Sequence, residues 1–336
     1  MTSAIDVATI GARLATIADR LPDKIAMVEQ EAGITFAQLD AQASAIARRL
    51  MAVSRERPAV VCLFFESKLF AIKSIFGACR SGHAYVPLDS RDPEERLRYI
   101  LRDCEPVALL TEGTLLDRAR AIAPPGCAVI DIEHVQQGGE AGPFPVVHGD
   151  VPAFLYYTSG STGQPKGVIQ THANLLFFAD AYAKALRVVE GDRFSLLYTL
   201  SFAAANNGIF RALLHGATLC AYDMRRDGIP QLAGWLDRER ITVLHTVTTV
   251  LREMANRLPP ARVLPYLRAI HLGGEYVFAG DVDLCRRHTL EHCILVNQFA
   301  SIVDGSPYAP TRTDGGLLCV PDEASFHALR AALLEG

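Results

Sequence analysis

Alternation between two hydrophobic periods is what most limits the folds open to this chain. Short runs rich in β-branched and aromatic residues recur between segments with apolar residues at helical spacing, the pattern of an α/β protein with a largely parallel sheet. Residues 9–21 carry the helical period, Thr35 and Phe36 introduce a second helix over 37–51, and 58–65 is a continuous apolar run suited to a buried strand. The repetition continues with a helix over 67–81, a strand over 83–88, a helix over 93–103 capped by Asp92, and a strand over 106–111. Residues 138–149 concentrate Gly and Pro and read as a loop, after which 152–158 restarts the pattern as a strand. Beyond it the spacing predicts helices over 171–186, 206–214 and 229–239, and strands over 218–222, 242–246, 269–272 and 294–297. Residues 321–335 read as one amphipathic terminal helix.

With 336 residues, 50% of them hydrophobic, the chain is long enough for about two domains of roughly 100–200 residues. The expected division is a first α/β subdomain over 1–150, a second over 151–300, and a divergent tail over 301–336. A balance of 33 basic against 37 acidic residues, net −4, leaves no global positive field for a phosphate backbone or an anionic membrane. Nucleic-acid and membrane partners are therefore not expected. The 8 cysteines are scattered, with no CxxC pair and no Cys/His cluster at metal-ligand spacing, and read as buried reduced thiols. The N-terminus is amphipathic and carries acids, unlike a signal peptide, and no run approaches ~20 apolar residues. A cytoplasmic protein is expected.

The most informative stretch is 157–167, Tyr-Thr-Ser-Gly-Ser-Thr-Gly-Gln-Pro-Lys-Gly, with three glycines, four Ser/Thr hydroxyls and one lysine. Glycines let backbone N–H groups surround phosphate oxygens, hydroxyls add short donors, and lysine adds a point charge, a composition suited to a polyphosphate. A flexible surface turn has a similar composition. A linker is not expected directly after the apolar strand of 154–157, nor before Pro165-Lys166-Gly167-Val168 leading into a helix. The spacing differs from GxxxxGK[ST] and from GxGxxG, which disfavours an ordinary P-loop NTPase or a Rossmann dehydrogenase.

This stretch resembles the phosphate loop of the adenylate-forming enzymes, and within them the adenylation domains of nonribosomal peptide synthetases. Residues 33–39 (Gly-Ile-Thr-Phe-Ala-Gln-Leu) are similar to that family's first core motif, residues 77–89 to its second, and Gly273-Gly274-Glu275 to the segment flanking the adenine and the acyl pocket. The resemblance runs from about residue 10 to about residue 300. It implies the large N-terminal subdomain of the acyl-adenylate-forming fold, with mixed, mostly parallel sheets flanked by helices. It also implies the reaction of a carboxylic acid with ATP to acyl-AMP and pyrophosphate, Mg²⁺ as the accompanying ion, and transfer of the acyl group to the phosphopantetheine thiol of a peptidyl or acyl carrier protein.

By the same resemblance Thr158, Ser159, Gly160, Ser161, Thr162, Gly163 and Lys166 hold the β- and γ-phosphates, with Thr158 and Lys166 as the catalytic positions. Gly273, Gly274, Glu275, Asn297, Gln298, Phe299 and Ala300 complete the nucleotide site. The family's spacing places Phe202, Ala203, Ala204, Asn207, His245, Ile270 and Leu272 around the acyl pocket. A lone histidine such as His245 at the end of an apolar strand reads more readily as a core or pocket-wall residue than as a base.

Three departures from the family pattern bear on function. Amino-acid-selecting members carry an aspartate where this chain has Ala203. A buried ammonium without a carboxylate partner costs several kcal/mol, so an aryl, hydroxy, keto or fatty acid, or an amino acid whose amine is placed elsewhere, is expected instead of a conventionally bound α-amino acid. Ala203–Ala205 also suits the start of a packed helix. Second, the positions where the family has Thr and Glu beside Mg²⁺ are Ile302 and Val303, which offer no oxygen ligand, leaving Asp304 as a weak substitute. Third, after Val303 the ribose-binding aspartate, the hinge and the small C-terminal lid domain with its catalytic lysine are not recognisable. The sequence therefore carries two functional expectations: a carboxylate-activating ligase, and a truncated or degenerate core that binds nucleotide or a protein partner without independent catalysis.

Overall fold

The computed structural model describes residues 9–54, 58–135, 143–159, 165–290, 292–298, 311–312 and 317–319. The elements in chain order are α1 (Ile10–Arg20), β1 (Ile25–Glu29), β2 (Ala32–Thr35), α2 (Phe36–Val53), β3 (Val60–Phe65), α3 (Lys68–Arg80), β4 (Ala84–Asp89), α4 (Glu94–Cys104), β5 (Ala108–Thr111), α5 (Leu116–Ile122) and β6 (Ala128–Asp131). They continue as β7 (Pro152–Ser159), β8 (Pro165–Thr171), α6 (His172–Ala185), β9 (Arg193–Leu196), α7 (Ala203–Leu213), β10 (Thr218–Ala221), α8 (Gly228–Arg238), β11 (Val243–Thr246) and α9 (Thr248–Asn256). The last are β12 (Ala269–Gly273), α10 (Ala279–His288), β13 (Ile294–Gln298), β14 (Thr311–Arg312) and β15 (Leu317–Cys319). The terminal helix expected over 321–335 lies outside the described residues.

Two compact units result: Met1–Asp180 with Thr199–Asn206, and Ala181–Tyr198 with Asn207–Gly336. The first holds a sheet in the order β6-β5-β3-β4-β7-β8. Its strands run parallel except β7 and β8, which form an antiparallel pair. The boundary expected after residue 150 falls just before β7, which joins β4 of the first sheet through Tyr85 and Phe154. In the second unit the strand order is β14-β15-β13-β12-β11-β9-β10, parallel apart from the β14/β15 pair.

Local chemistry accounts for most of the first unit. A capping box starts α2: Gln38 N–H donates to Thr35 Oγ1 at 3.2 Å, and Thr35 N–H donates to Gln38 Oε1 at 2.9 Å. The first turn of α3 is held by Glu29, which accepts from Ser67 Oγ, Lys68 N–H and Leu69 N–H at 2.7, 2.9 and 3.1 Å, placing a negative charge at the positive end of the helix. Gly77 lets α3 approach α2, since a Cβ there would lie 2.6 Å from Ile46 Cγ2. Asp92 departs from expectation: α4 is capped at Pro93 without a side-chain bond, and Asp92 accepts from Arg96 Nε at 3.1 Å instead.

Candidate nucleotide and acyl site

The glycine-rich stretch sits at the end of a β-hairpin. Thr158 pairs with Lys166 and Ser159 with Pro165 across β7 and β8, so residues 160–164 connect two bonded strands. The helix expected over 171–186 is α6, and the residues between Lys166 and it, expected only to lead into the helix, form β8 up to Thr171. Tyr157 anchors the hairpin by donating from its hydroxyl to Asp103 Oδ2 at 2.6 Å. A Cβ at Gly167 would press on Leu155 Cδ1 at 3.2 Å while only touching the Tyr157 ring at 3.5 Å. Gly160, Ser161, Thr162 and Gly163 lie outside the described residues.

In the second unit, parallel strands β12 and β13 bring other predicted residues together at their C-terminal ends, where open α/β sheets bind ligands. Gly273 is in register with Gln298, and Asn297 with Leu272. The Asn297 Oδ1 is buried with no hydrogen-bond partner among the described residues. Gly274 takes φ +78°, a left-handed turn that glycine allows at no steric cost. Directly after it, Glu275 Oε2 accepts from Thr249 N–H and Thr249 Oγ1 at 2.7 and 2.8 Å and so occupies the start of α9. Phe299, Ala300, Val303 and Asp304 lie outside the described residues. Among those described, no group of three or more His, Cys, Asp or Glu is placed to hold a metal ion.

The residues predicted around an acyl group separate by strand face. His245 and His271 are register partners in β11 and β12, and successive side chains of a strand point to opposite faces. Ile270 and Leu272 therefore turn away from His245 and pack in the apolar core with Leu244, Trp235, Leu251 and Met254. The pleat thus sets Ile270 and Leu272, both expected around the acyl pocket, on the face opposite His245 and His271. On the histidine face the two rings stack 4.3 Å apart, Tyr198 lies 4.7 Å from His245, and Tyr182 lies 5.5 Å from His271. Arg211 of α7 sits 3.9 Å over the Tyr182 ring and donates from Nη1 to His271 Nδ1 at 3.0 Å. A guanidinium offers only donors, so in a neutral ring the His271 proton resides on Nε2. Burial, and then the Arg211 charge, push His245 well below the usual imidazole range, while burial brings Arg211 down to about 10. His245 is thus an uncharged, packed member of this aromatic layer.

Helix α7 begins at Ala203, as its run of alanines suggested, with Phe202 exposed just before it, Ala203, Ala204 and Asn207 half-buried, and Ala205 and Asn206 buried. Sequence reasoning missed His271, Tyr198 and Arg211. Counting by twos from a known β11/β12 register would have found His271, but that register is not written in either strand alone.

The family described as AMP-binding enzyme matches residues 14–298. This chain belongs to that family. Among curated relatives, the AMP-binding chain is 33% identical to indigoidine synthase of Dickeya dadantii (strain 3937) over 304 residues, covering 87% of this chain and 20% of that protein. It is 30% identical to delta-poly-L-ornithine synthetase of Acinetobacter baumannii over 297 residues, or 88% of this chain and 21% of that protein. It thus spans about a fifth of the length of each. Its fold is similar to that of the nonribosomal peptide synthetase FmoA3, with TM-score 0.81 at 22% identity over 94% of this chain and 33% of that one. The N-terminal subdomain of Klebsiella oxytoca NpsA, solved with 3-hydroxybenzoyl-AMSN, gives TM-score 0.77 at 21% identity over 94% of this chain and 76% of that one. The two mostly parallel sheets flanked by helices are therefore those of the N-terminal adenylation subdomain. No helix among the described residues is long and apolar enough to cross a membrane.

Proposed function

We propose that this chain activates a carboxylic acid as its acyl adenylate, releasing pyrophosphate, for loading onto the phosphopantetheine thiol of a carrier protein. The observation that carries the reading is the hairpin in which Thr158 and Lys166 are paired across the ends of β7 and β8, with the glycine-rich residues 160–164 between them. A carboxylate is a poor acyl donor. When its oxygen attacks the α-phosphorus of ATP, the bond from that phosphorus to the bridging oxygen breaks, pyrophosphate leaves, and the mixed anhydride is an activated acyl group. In this reading Thr158, Ser159 and Lys166 act with Gly160, Ser161, Thr162 and Gly163 to position the β- and γ-phosphates. Gly273, Gly274, Asn297 and Gln298 meet the base, whose amino group suits the orphaned Asn297 acceptor. Mg²⁺ accompanies ATP in this proposal, and no step is routed through it.

We read α7 as the helix that meets the acyl group. Ala203 offers no carboxylate to an α-ammonium, which favours an aryl, hydroxy, keto or fatty acid. Two features of similar proteins support the class of reaction and partner: FmoA3 has been solved in an AMPPNP-bound form, and NpsA has been solved fused to a carrier domain as an adenylation–PCP di-domain. A cytoplasmic setting fits this biosynthetic role. Isotope exchange between pyrophosphate and ATP across a panel of acids tests the reading: acid-dependent exchange is expected, and background exchange with every acid would overturn it. Titrating ATP and AMP in parallel checks the loop, because Lys166→Ala should weaken ATP binding more than AMP binding, and equal weakening would misplace the lysine. A second reading, nucleotide or partner binding without adenylation, is favoured by the apolar Ile302 and Val303. ATP binding with background exchange would select it.

A further inference from the structure

Three thiols of the first unit gather around one apolar cluster and take no part in the chemistry proposed above. Cys62 is a fully buried member of the cluster, while Cys104 and Cys127 pack against it partly exposed. The Cys62 and Cys104 sulfurs are 3.6 Å apart, in van der Waals contact. A disulfide needs about 2.05 Å, so closing one requires only ~1.5 Å of approach.

The two partners differ in freedom to move. Cys62 lies in β3, which is bonded to β4 on one side and β5 on the other, whereas Cys104 is the last residue of α4, just before a left-handed cap at Glu105, φ 43°. The helix end is the part that gives. Its neighbour Asp103 accepts the Tyr157 hydroxyl at 2.6 Å, and Tyr157 sits in β7 immediately before Thr158 and Ser159. We propose that Cys62 and Cys104 form a redox-active pair, closed to a disulfide by a hydroperoxide, and that closure draws Asp103 away from Tyr157 and loosens the β7/β8 hairpin. Within the pair Cys62 is fully buried and Cys104 partly exposed, so Cys104 is the point of entry.

In the first step the Cys104 sulfur attacks the terminal peroxide oxygen, the O–O bond breaks, and Cys104 becomes a sulfenic acid as water or an alcohol leaves. In the second, the Cys62 sulfur displaces the sulfenic hydroxyl, which departs as water carrying the Cys62 proton, and the S–S bond forms. Two electrons pass from the two sulfurs to the peroxide. The chemical step stands apart from the proposed function; its effect on ATP rests on reading the hairpin as the phosphate loop.

The experiment treats the full chain with hydrogen peroxide, quenches by alkylation, maps disulfides by peptide mass spectrometry, and follows amide hydrogen exchange of residues 152–171 with and without reductant. The expected result is a single Cys62–Cys104 bridge, reversed by dithiothreitol, with several-fold faster exchange in the hairpin. Cys104→Ser should form no bridge and show no change in the hairpin on peroxide treatment. Tyr157→Phe should show fast hairpin exchange already when reduced, with no further rise on oxidation. A Cys104–Cys127 bridge, or a Cys62–Cys104 bridge that leaves hairpin exchange unchanged, would overturn the proposal. ATP titration of both forms should show weaker binding when oxidised. If neither form binds ATP, the phosphate-loop reading fails while the disulfide map and exchange still decide the redox pair.

Discussion

Two histidines, one in each compact unit, are kept uncharged mainly by burial, yet they meet different neighbours. His172, at the start of α6, uses Nδ1 to accept the otherwise unpaired N–H of Ile10 in the first turn of α1 at 3.3 Å, and burial lowers it to about 4. His245, in β11, stacks on His271, meets Tyr198 at a tilt, and is lowered by burial with the Arg211 charge second. The first ring ties two helices together through a backbone bond. The second is one layer of an aromatic and cationic stack on a sheet face. Burial alone therefore says little about what a histidine does; the identity of its neighbours separates a helix tie from a layer of a ring stack.

The largest expected effect tests whether the two faces of β12 differ as described. Leu272→Ala should cost about 2–5 kcal/mol by leaving a cavity in the apolar core, read by chemical denaturation. A loss no greater than the ~0.5 kcal/mol of a surface substitution would mean that Leu272 is not core. Acid comes next. His172 titrates at about 4 when folded against 6.5 ordinarily, so between those values the unfolded chain holds the extra proton. Stability should be full above the upper value and decline as pH falls through the window, by up to about 3 kcal/mol for this group, with His245 adding to the loss. His172→Gln should flatten part of the profile in urea melts at stepped pH, and an unchanged profile would remove His172 from the account.

Ser195→Ala should cost roughly 1–3 kcal/mol, because His245 N–H donates to Ser195 Oγ at 2.9 Å in a buried site and would lose its acceptor. Thermal melts showing no change would mean that water or backbone replaces that bond. The smallest effect separates the two histidines most directly. Arg211→Met should raise the titration of His245 while leaving that of His172 where it is, because only His245 feels the guanidinium. Side-chain NMR titration reads both, and a joint shift would erase the distinction.

Much of the first unit was legible in the chain. The apolar runs of β3 and β4 and the Thr35/Gln38 box of α2 announce themselves because burial on both strand faces and helix capping are local demands. β8 was missed because Lys166, Gly167 and the half-exposed residues after them lack a clean strand period. α9 was missed because its first residues, Thr248, Thr249 and Val250, are β-branched and favour strands by propensity. At the candidate site, the glycine- and hydroxyl-rich composition of 157–167 was plain, whereas the pairing of His245 with His271 was not.

What the sequence determined by itself was the α/β class, the family, and the chemistry stored in local patterns: glycines and hydroxyls before a lysine, and caps at helix starts. Tertiary structure alone decided that the glycine-rich stretch closes a hairpin of the first sheet, that Ile270 and Leu272 face away from His245, and that Cys62 touches Cys104. The reason is physical. Period and propensity act over a few residues, but which strand pairs with which, and in what register, is set by the packing of whole elements, and a shift of one residue reverses every side chain's face.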